Sequence, residues 1–404
     1  MPNISTSNTN SIYKYNAQIM ITFPGDDSPT IIENIRFKYI ITDYNYDQFN
    51  FPLIYCYVNL TIEQQEKFVQ FQKTGTLVFT LQKYIENSDM PGLKIDVINK
   101  DFVYFISGDT GKNKERVINE DKSSDLGEDT VIGLISLDHI NKLKRVINGV
   151  ITNGTMSSTV YNVLQGHTLL IEPFTNNVSI SNLPLPPLNS ITKMIKYLNN
   201  YKAFYNTPYR FFMDFDLTYL ISSSGKGFKL RGEKCNDFKF TIRHDYEEKN
   251  MEGMHYDAVN NMYLIDCSGT YSILNDTTDS SKSFSSIGGV GASGTMNQES
   301  TGLLSSDSPV KSKVNMIRVP NNNTELIKNM SVEAANNAVT ITIAKNKIDT
   351  SIITPNKHFT IDPSEVYDAK YIGDYLLSRK RELYLQEGEG MAMSTILFMK
   401  KVSG

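Results

Sequence analysis

Residues 51–75, FPLIYCYVNLTIEQQEKFVQFQKTG, place a strand directly before a helix. Leu53–Leu60 is rich in aromatic and β-branched residues, which is typical of a strand. Thr61 can cap the helix that follows, and Gln64 lies three residues later, where it completes a capping box. Gly75 is placed to end the helix. This strand–helix unit is the centre of the first predicted domain.

Further strand patterns surround this unit on both sides. Alternating apolar residues predict strands at residues 15–23, 31–42, 76–84 and 102–107. The first domain, residues 1–107, is therefore predicted to be a small β-barrel or sandwich with one attached helix. Residues 108–129 are charged and almost free of large apolar side chains, which predicts an exposed loop or linker.

The middle region, residues 130–235, mixes helix and strand patterns. Residues 137–150 fit either a helix or a strand, because an apolar stripe at helical spacing is made largely of β-branched residues. Three prolines predict an extended chain at residues 183–189, and a helix is predicted at about 190–203. Residues 209–222 predict a strand with one buried face. We expect an intervening α+β region here.

The last region, residues 236–404, returns to strands and is predicted to be a second barrel domain. Its strand candidates are residues 238–245, 261–267, 314–320, 339–344, 358–361, 371–380 and 394–402. Residues 277–309 are dense in Ser, Gly and Asp, and we expect a flexible loop there unless a partner covers it. The predicted fold class is mainly β with α+β insertions.

Composition excludes several function classes. The 404 residues include 40 basic and 44 acidic side chains, a net charge of −4, so no global positive field attracts nucleic acid. We find no apolar run near eighteen residues and expect no membrane insertion. The polar first ten residues lack the pattern of a signal peptide, and three scattered cysteines are typical of a reducing cytoplasm.

A search for reactive groups gives no predicted catalytic, cofactor-binding or metal-binding residue, and no cofactor. Asp214 and Asp216 lie two residues apart on one predicted strand, a spacing that a divalent cation could use. Solvated carboxylates are the commoner explanation of that spacing. Residues 224–227 and 108–112 lack the complete phosphate-loop pattern, so we interpret both as turns. None of the five histidines has metal-ligand spacing from another His or Cys: His139, His167, His244, His255 and His358.

Three stretches resemble a known family when they are taken in order along the chain. The run from Tyr39–Tyr44 through residues 51–60 to the Thr61 helix resembles the opening β-unit of phage baseplate hubs. Residues 169–173, the proline-rich run, the predicted helix in the 190s and Tyr209–Asp216 are similar to the middle of those hubs. Residues 359–363, 367–378 and 384–402 resemble the closing unit, which ends in a hairpin and a long strand.

The resemblance implies two tail-tube-like β-barrel domains joined by smaller mixed domains. Three copies would then form a pseudo-hexameric ring between the tail tube and the central spike, related to the hub portion of type VI secretion spikes. Implied partners are two further copies, the tube protein, the spike protein, and other baseplate and tape-measure proteins, with DNA only passing through the channel. The implied location is the virion tail baseplate, assembled in the host cytoplasm, and the tail is that of a contractile injection system or a long flexible one, since both kinds use related hubs. We expect no enzymatic activity, and a channel wall that is neutral to acidic.

Three alternatives stay open at this point. A tail-tube or tube-initiator protein has the same barrel, with one barrel per chain. A cell-wall glycan hydrolase of the tail tip could use a carboxylate pair drawn from Glu172, Asp214 and Asp216. A carbohydrate- or receptor-binding module with aromatic platforms is the third.

Overall fold

A computed structural model describes most of the chain. The residues it describes are 13–46, 51–72, 74–85, 94–106, 128–144, 147–188, 190–242, 252–267, 338–343, 350–363 and 372–402.

These residues form nineteen strands and four α-helices, with two short 3-10 helices at Asn34–Arg36 and Thr350–Ile352. The helices are α1 (Ile62–Gln70), α2 (Leu137–Leu143), α3 (Met156–Val163) and α4 (Ile191–Tyr201). The strands up to the small domain are β1 (Tyr13–Ile21), β2 (Thr30–Ile32), β3 (Phe37–Asn45), β4 (Leu53–Leu60), β5 (Thr76–Ile85), β6 (Ile95–Ile106) and β7 (Glu128–Ser136). Those of the small domain are β8 (Ile147–Thr155), β9 (Leu169–Ile171), β10 (Ser179–Leu188), β11 (Tyr209–Met213) and β12 (Thr218–Ser222). The remaining strands are β13 (Asp237–Ile242), β14 (Glu252–Asp257), β15 (Met262–Cys267), β16 (Ala338–Ile343), β17 (His358–Pro363), β18 (Gly373–Glu387) and β19 (Gly390–Lys401).

Eight strands close into a ring, which we call barrel 1. Following the hydrogen-bonded neighbours gives the order β18, β3, β4, β7, β6, β5, β1, β19, and β19 pairs again with β18. All pairs in this ring are antiparallel. Closure leaves no free edge around the ring, which is one way in which β-proteins avoid edge-to-edge aggregation.

Side chains fill barrel 1. The strands alternate, so that every second residue points inward, as Ile54, Cys56 and Val58 do in β4. Helix α1 packs at one end, where Phe68 contacts Phe23 and Tyr104 edge to face. The barrel is therefore a packed core and not a channel.

A second barrel unit, barrel 2, branches from the same two strands. Strand β17 pairs with the first part of β18, β13 and β15 follow in parallel, and β14 lies at the end of the path. On the other side β16 pairs with the last part of β19, and β15 and β16 approach each other. The predicted fold class, mainly β with two barrel units and mixed insertions, is confirmed.

A small α/β domain lies between the two barrels in sequence. Helices α3 and α4 pack on the ribbon β8–β10 and on the sheet β11–β12–β9. Its core is separate from the continuous core of the barrels. Ser190 caps α4 by accepting from the Lys193 backbone N–H, and the predicted helix at 190–203 is confirmed at Ile191–Tyr201.

The pairing corrects the predicted domain limits. Barrel 1 was predicted to lie within residues 1–107, but it takes β7 from the middle region and β18–β19 from the end of the chain. The prediction failed because a sequence pattern can identify a strand but does not specify which other strands it pairs with. Of the predicted loop 108–129, residues 108–127 lie outside the described residues, and β7 begins at Glu128.

Several local predictions also change. Residues 209–222 are not one strand but two, β11 and β12, because Asp214 binds the backbone of a tight turn. The ambiguous residues 137–150 contain both a helix, α2, and the start of β8. Strand β14 was not predicted. The predicted strand at 314–320 and the loop at 277–309 lie outside the described residues.

Candidate functional site

The strands β18 and β19 form one hairpin that belongs to both barrels. Tyr375–Leu377 pair with β19, and Tyr375 also pairs with Phe359 of barrel 2, whereas residues 379–385 pair with β3 of barrel 1. The register shifts between Leu377 and Arg379, and the Ser378 hydroxyl between them donates to the Phe398 carbonyl at 2.9 Å. A bulge of this kind bends a strand and re-aims its side chains. It marks where the hairpin passes from one barrel to the other.

A buried ion pair lies just beyond the bulge, inside barrel 1. The Lys380 ammonium is 3.1 Å from the Glu382 carboxylate, and both side chains are almost fully buried. Tyr384 donates a hydrogen bond of 2.8 Å to Glu382, and Tyr44 one of 3.4 Å. The Lys380 ammonium also lies 4.7 Å from the centre of the Tyr44 ring. Because an unpaired buried charge is costly, this network favours a single register of β18 against β3.

The hairpin β11–β12 of the small domain contacts both barrels. The buried Arg210 guanidinium donates to the Leu377 carbonyl at 2.9 Å and to the Pro355 carbonyl at 3.2 Å, both in barrel 2. Near barrel 1, the Phe212 ring lies 5.3 Å from the Tyr46 ring. One short hairpin therefore braces the two barrels against each other.

The tip of the same hairpin closes an end of barrel 1. Phe215 is buried, with its ring 5.6 Å from Tyr44 and 6.0 Å from Phe102, and stacked on His139 at 6.3 Å. The His139 Nε2 lies 2.7 Å from the Asp214 carbonyl. We call Phe215, together with Asp214 and His139, the barrel plug. With α1 at one end and the plug packed into the core, barrel 1 is filled.

Burial governs the protonation of the plug histidine. Desolvation lowers the pKa of His139 to about 4, which outweighs the opposing effect of its hydrogen bond to the Asp214 carbonyl. The ring is therefore neutral near pH 7, and its Nε2–H donates to that carbonyl. Nδ1 is buried and has no hydrogen-bond partner in the described residues.

The three acidic residues considered for hydrolysis each bind a neighbouring part of the fold. Asp214 accepts from the backbone N–H groups of residues 216 and 217 and from the Tyr219 hydroxyl, and burial raises the pKa of its carboxyl. Asp216 pairs with Lys100 at 2.8 Å. Glu172 accepts from the Ser222 backbone N–H and hydroxyl. Each acid holds a turn or a strand of the fold, and the hydrogen bond between Asp216 and Asp214 runs from a backbone N–H and not between their carboxyl groups.

The turn at residues 224–227 and His358, which were also considered as sites in the sequence, both contact neighbouring parts of the fold. The turn at residues 224–227 packs against barrel 2, and a side chain at Gly227 would meet the Asn356 carbonyl at 2.6 Å. His358 lies between Asp237 at 2.6 Å and Asp374 at 3.0 Å on neighbouring strands. Across the described ranges, no group of three or more His, Cys, Asp or Glu side chains could hold a metal ion. No helix in the described part of the chain is long and apolar enough to cross a membrane.

Outward side chains on six strands of barrel 1 are largely apolar and mostly half-buried, and we call this surface the apolar face. It consists of three rows of cross-strand neighbours that point away from the barrel core. The rows are Ala392–Leu385–Tyr39–Tyr57–Val131, then Ser394–Leu383–Ile41–Tyr55–Gly133–Phe105, then Ile396–Arg381–Asp43–Leu53–Ile135–Val103. The sequence signal for this face was present in β4, where both alternating sets of residues are apolar.

Aromatic contacts and paired charges hold the apolar face together. The Tyr39 and Tyr57 rings stack at 3.8 Å, and the Phe105 ring lies over Gly133, where any side chain would clash with it. At one corner, the Asp43 carboxylate accepts from Arg379 and from Arg381, the latter at 3.2 Å. The face is therefore well packed, and its carboxylate is paired.

Two outward rows on β1, β5 and β6 are polar, and we call them the polar face; the same strands also expose the apolar residues Met20, Ile95 and Val97. Its rows are Gln18–Thr80–Asn99 and Asn16–Gln82–Asp96. Gln82 donates to Asp96 at 2.8 Å, and Asn99 donates to Asp96 at 3.1 Å.

Comparison with known protein families gives one match over almost the whole chain. A family model described as "Bacteriophage PBS1 gene 109 protein" matches residues 4–402. No curated protein matches the chain.

Solved structures of tail and secretion proteins resemble the chain at low identity. The tail protein from Neisseria meningitidis MC58 is 9% identical with a TM-score of 0.45, covering 96% of this chain and 97% of that one. The 43 kDa tail protein of prophage MuSo2 from Shewanella oneidensis is 10% identical with a TM-score of 0.44, covering 95% and 98%. The E. coli c3393 protein, a type VI secretion component described as similar to T4 tail proteins gp27 and gp5, is 7% identical with a TM-score of 0.37, covering 99% and 76%. Likenesses at these values say nothing about the activity or partners of this chain.

Proposed function

The chain belongs to the Bacteriophage PBS1 gene 109 protein family, and we propose that it is the central hub of a phage tail baseplate. In this role three copies form a ring that joins the tail tube to the central spike. The observation that carries the proposal is the hairpin β18–β19, which makes two barrel units into one continuous body.

The double-barrel arrangement supports a ring of three copies. A chain with two barrels side by side contributes two positions to a ring, so three chains supply six. Such a ring has three-fold symmetry in its chains and approximate six-fold symmetry in its barrels. It can therefore match a six-fold tube on one side and a three-fold spike on the other.

The filled barrel supports a channel between copies and not through one chain. Phe68 closes barrel 1 near α1, and Phe215 packs into its core from the small domain. Any passage for DNA or a tape-measure protein would then have to run along the ring axis, past the outer surfaces of the barrels. This role requires structure and assembly but no catalysis, so we propose that the chain is not an enzyme.

The number of copies in the assembly tests this proposal. The chain is co-expressed with the tube and spike proteins of the same phage, and the purified complex is weighed by native mass spectrometry. A hub gives three copies bound to both partners. Six copies per ring would identify a tube or tube-initiator protein instead and would refute the hub.

A further inference from the structure

His358 joins three strands of barrel 2 through its two ring nitrogens. It is the first residue of β17 and lies directly opposite Asp237, the first residue of the parallel strand β13. Its Nδ1 is 2.6 Å from the Asp237 carboxylate, and its Nε2 is 3.0 Å from the carboxylate of Asp374 in β18. The imidazole thus bridges carboxylates of the strands on either side of it, and we call these three residues the clasp.

The geometry of the clasp indicates the charge on its ring. An ionised carboxylate only accepts hydrogen bonds, so a ring nitrogen must carry a proton to bond with it. A neutral imidazole has one N–H, and its bare nitrogen would face a carboxylate oxygen at hydrogen-bonding distance. The imidazolium form satisfies both contacts, and its charge strengthens both hydrogen bonds.

The other charged groups near His358 have partners or lie beyond its ring. Strand β15 places the uncharged Met262 beside Asp237. Farther along β17, the Asp362 carboxylate pairs with Lys239 of β13. The remaining basic side chains near the clasp in the described residues are Lys357, which pairs with Glu233, and Lys401, whose stem lies over Gly373.

Burial and the two carboxylates act in opposite directions on the pKa of His358. Partial burial is the largest single effect and lowers the pKa, but the hydrogen bonds and charges of Asp237 and Asp374 together raise it above its usual 6.5. The imidazole is 24% exposed, and both carboxylates are about half exposed. Solvent therefore screens the two pairs, and their effect on stability is local.

The clasp lies where the outer strands of barrel 2 meet the shared hairpin. Strand β17 pairs with β18 over three residue pairs, from Phe359–Tyr375 to Ile361–Gly373. Strands β13, β15 and β14 follow β17 in the order of the sheet. The bond from His358 to Asp374 adds a side-chain contact to this short ladder, and the bond to Asp237 adds one to the next ladder.

We propose that the clasp is a pH-sensitive device of barrel 2: with both ring nitrogens protonated, His358 binds β13 and β18 to β17, and loss of one proton breaks one of the two contacts. The bare nitrogen then faces a carboxylate, so that contact becomes repulsive. The stabilisation is fully present below about pH 6.5 and is lost as the pH rises through the raised pKa of the folded protein. The inference concerns barrel 2 within one chain and does not rest on the hub proposal.

Titration of His358 in the full chain tests the charge on the ring. Every histidine is labelled with ¹³C at Cε1, and the signal that is missing from His358→Gln belongs to His358. We expect the wild-type signal to titrate with a pKa above 6.5. Asp237→Asn and Asp374→Asn should each lower that pKa by about 1 unit, since an opposite charge within about 4–6 Å shifts a pKa by about 1–3 units. The matched control Asp362→Asn removes a carboxylate that pairs with Lys239, and it should shift the pKa far less.

Folding and local exchange test the consequence for barrel 2. Urea unfolding gives the folding constants of the wild type and His358→Gln at pH 6 and pH 9. The ratio of the wild-type constant to that of the variant should fall about tenfold for each unit by which the measured pKa exceeds the unfolded value near 6.5. Amide protection of β17, corrected for intrinsic exchange, should fall over the same interval, with β4 as the reference. His255→Gln, which removes an exposed imidazole from β14, should fold as stably as the wild type at pH 6.

The wild-type titration keeps the inference falsifiable even where a variant fails to fold. A pKa of His358 at or below 6.5 in the folded protein overturns it. So does a raised pKa that neither Asp237→Asn nor Asp374→Asn lowers, or protection of β17 that does not fall as the pH rises. The number of copies in the assembly is a separate measurement, so three copies with a pKa of 6.5 would overturn the clasp and leave the hub standing.

Discussion

Because folding favours the neutral form of His139, mild acid should lower the unfolding free energy of the protein. The imidazole is 2% exposed, is stacked on Phe215 and donates to the Asp214 carbonyl. A charged ring at this position would keep the hydrogen bond but lose its hydration, because Nδ1 has no partner among the described residues. We compare the wild type with His139→Gln, which keeps an N–H donor and cannot be protonated.

The size of the effect follows from the two pKa values. The folded protein holds His139 with a pKa of about 4, lowered by burial, whereas an unfolded histidine titrates near 6.5. The neutral form is favoured by folding, so the stabilisation is complete above about pH 6.5 and is lost as the pH falls toward 4. The loss is about 2 kcal/mol at pH 5 and about 3 kcal/mol below pH 4, at 1.36 kcal/mol per pKa unit.

Urea unfolding at pH 7.5 and pH 5, followed by tyrosine fluorescence and circular dichroism, measures this loss. Other groups titrate in both proteins, so the difference between wild type and variant isolates His139. The wild type should lose about 2 kcal/mol more than His139→Gln over this interval. Equal losses in the two proteins would refute the assignment of a buried, neutral His139 to the plug.

Three further perturbations test the junction and the first helix. Phe215→Ala should cost about 3–5 kcal/mol in urea unfolding, because it empties a site lined by three rings, whereas Val259→Ala, at a position 92% exposed, should change stability by less than about 0.5 kcal/mol. Glu382→Ala should cost about 3–5 kcal/mol because Lys380 stays buried without its carboxylate, and adding Lys380→Met should restore most of that loss in the same assay. Thr61→Ala removes a cap hydrogen bond and should lower the unfolding free energy by about 1 kcal/mol, with faster amide exchange confined to α1 as the direct measure.

Local patterns were sufficient to predict individual elements. The capping box of Thr61 and Gln64 is present as predicted, with both reciprocal hydrogen bonds formed. The strand predicted at Leu53–Leu60 has the same limits in the structure. These elements were predictable because neighbouring residues supply the interactions that define them.

Pairing between distant strands was not predictable in the same way. Residue Arg381 lies opposite Asp43, 338 positions away, and no local pattern specifies that partner. At Asp214 a local pattern was misleading. Its alternation with Phe215 predicted the polar face of a strand, but its carboxylate accepts a backbone hydrogen bond that holds a turn. The barrel plug and the shared hairpin both depend on such long-range or turn contacts, so the junction between the barrels was missed.

A reconstruction of the phage tail tip by electron cryo-microscopy, with no symmetry imposed, tests the hub proposal most directly. We predict three copies of the chain between tube and spike, with six barrels around the axis and each pair of barrels joined by its own β18–β19 hairpin. Six copies around the axis, or density for this chain anywhere other than the tube–spike junction, would contradict it.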